Sequence, residues 1–168
     1  MPVHAAYAVH PMADRAQSKG PAPAEATWSG ADELKYLELA FAKVPMFSAC
    51  TPEELIRVAA ATTIREVPAG QVVIREGDAA KDFFVILRGD AQVSRGGTDV
   101  AMLGVGDFFG ELALFDPAPR NATVTARTTL TVAVLSQPGF HEVLAEPAVR
   151  DHIFLGMARR LHQLDSRL

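Results

Sequence analysis

The spacing of apolar residues changes twice along this chain of 168 residues, and that change constrains the fold most. From Thr62 to Leu135, apolar and polar residues tend to alternate, and turns containing glycine recur every few positions. Alternation with a period of two is typical of half-buried strands, and glycine permits the positive φ angles of tight turns. On both sides of this segment the apolar spacing is helical. The sequence therefore predicts a mainly β protein with helices at both ends of the strand segment.

Seven short strands are predicted within the alternating segment. They are Ile64 to Val67, Val72 to Glu76, Phe83 to Leu87, Ala91 to Ser94, Val100 to Leu103, Thr123 to Ala126 and Thr131 to Leu135. Short strands at such regular spacing favour a barrel or jelly roll over an open sheet. We therefore expect a closed β unit over residues 62–135.

Two helices are predicted before the strands, over residues 31–61. The first runs from Ala31 to Lys43 and ends before Pro45. The second begins at a predicted capping box, in which Thr51 caps the helix and Glu54 is its reciprocal partner, and it extends to about Ala61.

Two further helices are predicted after the strands, over residues 137–168, and Pro147 separates them. They run from Gln137 to Glu146 and from Ala148 to Leu168. The last helix has an apolar stripe at Val149, Ile153, Met157, Leu161, Leu164 and Leu168. This stripe either packs against the strands, or docks over a ligand or against another subunit.

Composition limits the classes of function. A formal net charge of -4 argues against broad electrostatic binding of nucleic acid. No apolar run is long enough to cross a bilayer. The single cysteine, Cys50, excludes an internal disulfide, and the N-terminus lacks a secretory signal, so we predict a cytoplasmic protein. Residues 1–30 are rich in Ala, Pro, Ser and Gly and are expected to form a flexible tail.

Residues 106–124 concentrate the polar chemistry of the chain. Gly110 permits close approach of the backbone, and the amides that open a helix at Glu111 to Ala113 can bind an anion. Arg120 supplies a planar set of donors suited to phosphate oxygens, and Glu111 can accept from hydroxyls such as those of a ribose. The alternative is a surface ion pair between Glu111 and Arg120, which would contribute little stability. The apolar residues around them argue against a routine surface pair.

The segment FGELALFDPAPRNATV resembles the phosphate-binding cassette of the cyclic nucleotide-binding domain family. That family includes the regulatory subunit of cAMP-dependent protein kinase, the bacterial catabolite activator protein and cyclic-nucleotide-gated channels. The strand segment from Val67 to Val93 also resembles the β-roll that precedes the cassette in the family. The resemblance implies a β-roll, a double-stranded β-helix of jelly-roll type, within a domain over residues 31–168. Its cassette spans 106–124, and its C-terminal helices act as hinge or lid.

The resemblance also implies roles for individual residues. Arg120 would bind the exocyclic oxygens of the cyclic phosphate, and Glu111 would accept from the ribose 2′-hydroxyl. Backbone groups would complete the cradle at Gly110, Leu112, Ala113, Asn121 and Ala122. Strand alternation suggests base contacts at Val85, Val93 and Leu103, and the last helix offers Arg159 and Arg160 as further base contacts.

Asn121 stands where members of the family carry different small residues, so it departs from the commonest patterns. Its amide could form a hydrogen bond with a guanine in the syn conformation, or it could belong to the loop without contacting the base. The ligand is expected to be cAMP in preference to cGMP, with no cofactor and no metal.

The favoured hypothesis is a cyclic-nucleotide receptor whose C-terminal helices relay binding to a partner. That partner is a second copy, in a homodimer through the last helix, or an unidentified effector protein. One alternative is a truncated transcription regulator without its DNA-binding domain, since a helix-turn-helix would begin after Leu168. Another is a sensor of the same fold for haem or an iron–sulfur cluster, although Cys50 alone cannot ligate a cluster. No catalytic motif appears, so an enzyme and direct binding of nucleic acid are not expected.

Overall fold

A computed structural model of the chain describes residues 9–10, 30–116 and 118–166. The chain divides into two compact units. The β unit contains Thr63–Gln137 together with the described residues 9–10, and the helical unit contains residues 30–62 and 138–166.

Within the described residues the β unit has nine strands. They are β1 (Val9–His10), β2 (Thr63–Val67), β3 (Val72–Ile74), β4 (Asp82–Arg88), β5 (Ala91–Arg95), β6 (Thr98–Leu103), β7 (Phe108–Phe109), β8 (Thr123–Ala126) and β9 (Leu130–Ser136). One sheet has the order β1-β7-β4-β9-β2, and the other has the order β3-β8-β5-β6. Neighbouring strands are antiparallel throughout.

One apolar core joins the two sheets. Phe84 and Ile86 of β4 and Val132 of β9 contribute to it from the first sheet, and Val93 of β5 and Val124 of β8 contribute from the second. Apolar residues from two sheets meet in this way when each strand alternates between an inward and an outward side. The predicted β-roll built from antiparallel strands is confirmed.

Each of the seven predicted strands is present, with ends that differ by at most two residues. The strand predicted to reach Glu76 ends at Ile74, because the chain turns there. The strands β1 and β7 were not predicted. Since each has only two residues, neither can show a period in its sequence.

The helical unit contains α1 (Gly30–Ala42), a 3₁₀ helix at Pro45–Phe47, α2 (Pro52–Ala60), α3 (Gln137–Leu144) and α4 (Pro147–Asp165), of which α3 begins at the boundary with the β unit. The predicted capping box of α2 is confirmed. The Glu54 amide donates to Thr51 Oγ1 at 3.3 Å, and the Thr51 amide donates to Glu54 Oε2 at 3.0 Å. These bonds satisfy amides that would otherwise lack partners at the start of the helix.

The apolar stripe predicted on α4 is buried only in its first half. Val149 and Ile153 are fully buried, but Leu161 is 59% exposed. A step of four residues drifts by about 40° per step around a helix of 3.6 residues per turn, so the predicted line leaves the buried side. The buried line instead continues at Gly156, which packs against the backbone of Met46. The Leu164 side chain and Leu168 lie outside the described residues.

The prediction of a flexible tail falls mostly outside the described residues. Within that segment, Val9–His10 forms β1, which pairs with Phe108–Phe109 of β7. In the part of the chain that the structure describes, no helix combines the length and the hydropathy that a membrane span requires.

Candidate ligand-binding site

The segment that precedes Gly110 is held firmly against β4. The Asp107 carboxylate is buried, and its Oδ2 accepts a hydrogen bond of 2.8 Å from the Gly104 amide. The Asp107 carbonyl accepts from the Ile86 amide at 2.9 Å, and the Gly106 amide donates to the Ile86 carbonyl at the same distance. This double attachment to β4 fixes where β7 begins.

Gly110 follows β7 in a conformation that requires glycine. Its φ angle is +83°, a region that residues with a Cβ rarely adopt. A Cβ built on this backbone would lie 2.5 Å from Nη1 of Arg120 and 2.8 Å from the carbonyl oxygen of Asp82. The missing side chain therefore allows the Arg120 guanidinium to lie against the backbone at Gly110.

The backbone of Arg120 is held by the turn between β3 and β4. Its amide donates to the Asp78 carbonyl at 2.8 Å, and its carbonyl accepts from the Gly77 amide at 2.7 Å. The preceding residue, Pro119, forms a β-bridge with Ala79. Although Arg120 lies outside regular secondary structure, these bonds hold its backbone in place.

The Arg120 guanidinium is partly buried. Its Nη2 donates to the Asp82 carbonyl at 2.7 Å, and its Cζ lies 5.8 Å from the centre of the Phe84 ring. Burial lowers the pKa of Arg120, and the Asp82 carboxylate opposes that shift. An arginine remains charged at neutral pH even so. No ion pair of Arg120 occurs among the described residues, so the surface pair with Glu111 considered above does not form.

Glu111 begins a 3₁₀ helix, Glu111–Leu114, and the residue is only 3% exposed. The Ala113 amide donates to the Gly110 carbonyl at 3.1 Å and closes the first turn. A buried carboxylate is costly unless polar groups surround it. The sequence thus places an acceptor group immediately after the glycine that contacts Arg120.

Asn121 and Ala122 follow Arg120 and lead into β8. Ala122 is fully buried, and the Asn121 carbonyl accepts from Arg95 Nε at 3.1 Å. The side-chain oxygen of Asn121 is buried and has no hydrogen-bond partner among the described residues. Buried acceptors of this kind are uncommon in folded proteins, so this one requires an explanation.

The residues predicted to contact the base lie outside segment 110–122, on strands of the β unit and on α4 of the helical unit. Val93 and Leu103 are fully buried in the core that joins the two sheets. Val85 is also fully buried, but it lies on the opposite side of β4 from Phe84 and Ile86 because successive side chains alternate. Arg159 and Arg160 belong to α4 in the helical unit, where Arg159 is exposed and Arg160 is partly buried.

A cavity of about 370 Å³ has Arg120 among its lining residues. It is formed by β2, β3, the turn that follows β3 and the start of β4. Its lining residues are Arg65, Val72, Val73, Ile74, Arg75, Asp78, Ala79, Lys81, Asp82, Phe84 and Arg120. Of the residues predicted to bind ligand, Arg120 is the one that lines it.

Sequence reasoning missed Phe84 and Asp82 as neighbours of Arg120. Alternation along β4 places Phe84 on the same side as Ile86, so its inward position could have been inferred. Asp82 contacts Arg120 through its backbone carbonyl, which no side-chain pattern reveals. Within the described residues, no group of three or more His, Cys, Asp or Glu side chains could hold a metal ion.

Residues 64–146 match the model of the family described as cyclic nucleotide-binding domain. Two curated relatives carry the name cAMP-dependent protein kinase regulatory subunit. The protein from Pyricularia oryzae is 40% identical over 112 residues, and the one from Yarrowia lipolytica is 42% identical over 113 residues. These matches cover 64% and 66% of this chain but only 29% and 30% of the two relatives. The chain therefore spans less than a third of the length of these relatives.

Among solved structures, the chain is similar to the N-terminal domain of a transcriptional regulator from Streptomyces coelicolor. The TM-score is 0.71 at 27% identity, and the match covers 78% of this chain and 95% of that one. The similarity extends over most of both chains, so it concerns the whole architecture rather than one motif.

Proposed function

Residues 64–146 belong to the cyclic nucleotide-binding domain family, and we propose that this chain is a receptor for cAMP and, with lower preference, for cGMP. Binding would occur in a cradle formed by Gly110, Glu111, Leu112, Ala113, Arg120, Asn121 and Ala122. The C-terminal helices would relay binding to a partner protein or to a second copy of the chain. The observation that carries the proposal is the partly buried guanidinium of Arg120, packed against Gly110 without an ion-pair partner among the described residues.

Arg120 is the proposed phosphate ligand. A guanidinium has five N–H donors, and the Asp82 carbonyl accepts from Nη2. Burial has already removed part of the water that would solvate the charge. An anionic phosphate would restore that lost stabilisation and would accept two parallel hydrogen bonds. The exocyclic oxygens of a cyclic phosphate suit this geometry.

Glu111 is the proposed ribose ligand. Its carboxylate is buried immediately after Gly110, and Gly110 contacts the arginine. A carboxylate is an acceptor only, and a ribose hydroxyl is a suitable donor. Backbone amides at the start of the 3₁₀ helix would add donors for the phosphate, as helix N-termini commonly do.

The preference for cAMP rests on the names of the two curated relatives, both of which are called cAMP-dependent. The buried oxygen of the Asn121 side chain is relevant to the base. It can accept from an N–H group, and both adenine and guanine have such groups on their edges. Asn121 is therefore the cradle residue at which the choice of nucleotide should be tested.

The exposed apolar residues of α4 support a homodimer as the state to which binding is relayed. Apart from its buried line, it exposes Phe154 at 51% and Leu161 at 59%, seven residues apart and so on the same side of the helix. Exposed apolar side chains in a row are typical of surfaces that bind another protein. Analytical ultracentrifugation should detect a dimer that Phe154→Glu weakens. If the protein stayed monomeric at high concentration, with and without nucleotide, the proposed homodimer would be contradicted. A cytoplasmic location remains a prediction from the sequence.

A second candidate function is the sensor part of a transcriptional regulator, because the similar structure from Streptomyces coelicolor is a domain of such a protein. Both candidates share the cradle and differ in what the bound state controls. Mobility-shift assays with the natural full-length protein and its upstream DNA, with and without cAMP, would separate them.

Isothermal titration calorimetry with cAMP and with cGMP tests the proposed ligand. Arg120→Ala should remove contacts of roughly 2–5 kcal/mol and weaken binding by about 30-fold to several thousand-fold. Arg127→Ala removes the same charge at an exposed position outside the proposed cradle and should bind as the wild type does. If the wild type bound neither nucleotide, or if Arg120→Ala bound normally, the proposal would fail.

A further inference from the structure

Most residues that line the cavity beside Arg120 lie outside the proposed nucleotide cradle. Of the cradle residues, Arg120 alone is among those that line it, and neither Glu111 nor Asn121 contributes. Its walls come instead from β2, β3 and the start of β4. Arg120 is therefore the one residue that this cavity and the proposed cradle have in common.

Charge distinguishes this cavity from an ordinary surface depression. Its lining has four cationic side chains, Arg65, Arg75, Lys81 and Arg120. It has two acidic ones, Asp78 and Asp82, which leaves an excess of two positive charges. The chain as a whole has a net charge of -4, so this concentration of cations runs against its average. A cleft with one predominant sign of charge raises the local concentration of ions of the opposite sign.

Two of the cations meet at one aromatic ring. Cζ of Arg65 lies 5.5 Å from the centre of the Phe84 ring, and Cζ of Arg120 lies 5.8 Å from it. Phe84 is 2% exposed and stacks on Phe109 with a distance of 4.8 Å between the ring centres. The ring attracts both guanidinium groups, yet their like charges repel each other. An anion between the two groups would relieve that repulsion.

The size of the cavity sets the class of ligand. At about 370 Å³ it lies within the range of small-molecule sites, towards the lower end. The apolar residues Val73, Ile74 and Phe84 in its lining would limit access of water to the bound charge. Two excess positive charges match a group with two or more negative charges better than the single charge of a cyclic phosphate diester.

We propose that this cavity is a second anion site, which binds a small molecule bearing a phosphate group with at least two negative charges. Arg65 and Arg120 bind the phosphate from two sides, and Lys81 and Arg75 add positive charge at the edge. Because Arg120 also serves the cradle, an occupied cavity draws its guanidinium away from the cyclic phosphate and weakens nucleotide binding. Only this last consequence rests on the proposed function.

Isothermal titration calorimetry with inorganic pyrophosphate, at constant ionic strength set with chloride, tests the site directly. The wild-type chain should bind one equivalent. Arg65→Gln should weaken binding by about tenfold, the lower end for a hydrogen bond to a charged group. Arg127→Gln removes an equal charge at an exposed position outside the cavity lining and should change binding by less than about twofold. Unchanged unfolding temperatures would show that the variants remain folded.

Two outcomes would overturn the proposal. One is the absence of pyrophosphate binding to the folded wild type. The other is equal weakening in Arg65→Gln and Arg127→Gln, which would indicate diffuse attraction without a site. A parallel titration with ribose 5-phosphate separates the sources of the phosphate: tighter binding of the sugar phosphate assigns the cavity to organic monoesters, and tighter binding of pyrophosphate assigns it to inorganic anions.

Titration with cAMP in the same samples distinguishes failure of this inference from failure of the proposed function. Arg65→Gln should retain the cAMP affinity of the wild type, while millimolar pyrophosphate should lower that affinity in the wild type and less so in Arg65→Gln. Binding of pyrophosphate without binding of cyclic nucleotide would support the anion site and refute the receptor function. Binding of cAMP without binding of pyrophosphate would support the receptor function and refute the anion site.

Discussion

The backbone carbonyl of Asp82 accepts a hydrogen bond of 2.7 Å from Nη2 of Arg120. The acceptor belongs to the first residue of β4, and the donor lies in the segment that leads into β8. The contact therefore links the two sheets at the proposed phosphate ligand, since β4 and β8 belong to different sheets. Because a main-chain atom is involved, no substitution at position 82 removes the acceptor itself.

Gly110→Ala should lower the affinity for cyclic nucleotide by more than about tenfold. The new Cβ would lie 2.5 Å from Nη1 of Arg120, so the guanidinium would have to leave its position. The positive φ angle adds a strain of roughly 1–2 kcal/mol. Calorimetry with cAMP and thermal unfolding would measure the two effects.

Gly97→Ala is the matched control for that variant. Its φ angle of +78° imposes a similar backbone strain, but nothing lies within 4 Å of the added Cβ. Gly97→Ala should therefore lose stability and keep its affinity. Equal loss of affinity in both variants would indicate that strain alone, without displacement of Arg120, explains the effect.

Asn121→Ala should leave the stability of the free protein unchanged or raise it by up to about 1 kcal/mol. The buried oxygen of the side chain has no partner among the described residues, and removing such an acceptor removes a desolvation cost. If that oxygen accepts from the base, the ratio of cAMP to cGMP affinity should change by about fivefold or more. An unchanged ratio would exclude Asn121 from base selection.

Gly156→Ala should destabilise the helical unit by about 1–3 kcal/mol. At a helix position with free space, the same change would stabilise by roughly 1 kcal/mol, because alanine is the better helix former. On α4 the added Cβ would meet the carbonyl group of Met46. Gly30→Ala at the start of α1, where nothing lies within 4 Å, is the control and should not destabilise. Thermal unfolding of both variants would show whether each substitution raises or lowers the stability.

Cys50 should react slowly with alkylating reagents. Burial, and secondarily the Glu54 carboxylate, raise the pKa of its thiol from 9.0 to about 11. At pH 8 the reactive thiolate would be about 100-fold less abundant than in an unperturbed cysteine. Alkylation by iodoacetamide should therefore be about 100-fold slower in the native protein than in urea, and equal rates would contradict the raised pKa.

The same shift has a defined effect on stability. The pKa of Cys50 is higher in the folded protein than in the unfolded chain. The stabilisation of the folded state by the protonated thiol is therefore complete below pH 9. It is lost as the pH rises from 9 towards 11. Unfolding at pH 8 and pH 10.5, compared between the wild type and Cys50→Ala, should show a smaller decrease in stability for the variant.

The sequence by itself determined seven of the nine described strands and the capping box, and it supplied the residues of the proposed cradle. Alternation located β4 and β9 to within one residue because each is long enough to show its period. Thr51 and Glu54 predicted the start of α2 because the bonds of a capping box are local. The nine-residue step from Glu111 to Arg120 is likewise a local property of the chain.

Only the tertiary structure decided what surrounds Arg120. The Asp82 carbonyl, the Phe84 ring and Arg65 are distant in sequence, and they meet through strand pairing and sheet packing. Val93 and Leu103 lie in the core that joins the two sheets. Alternation along a strand gives two sides but does not say which side faces a ligand, so their contact with the base stays a prediction. Chemistry that depends on neighbours in sequence can be predicted, whereas contacts that depend on the closure of two sheets require the fold.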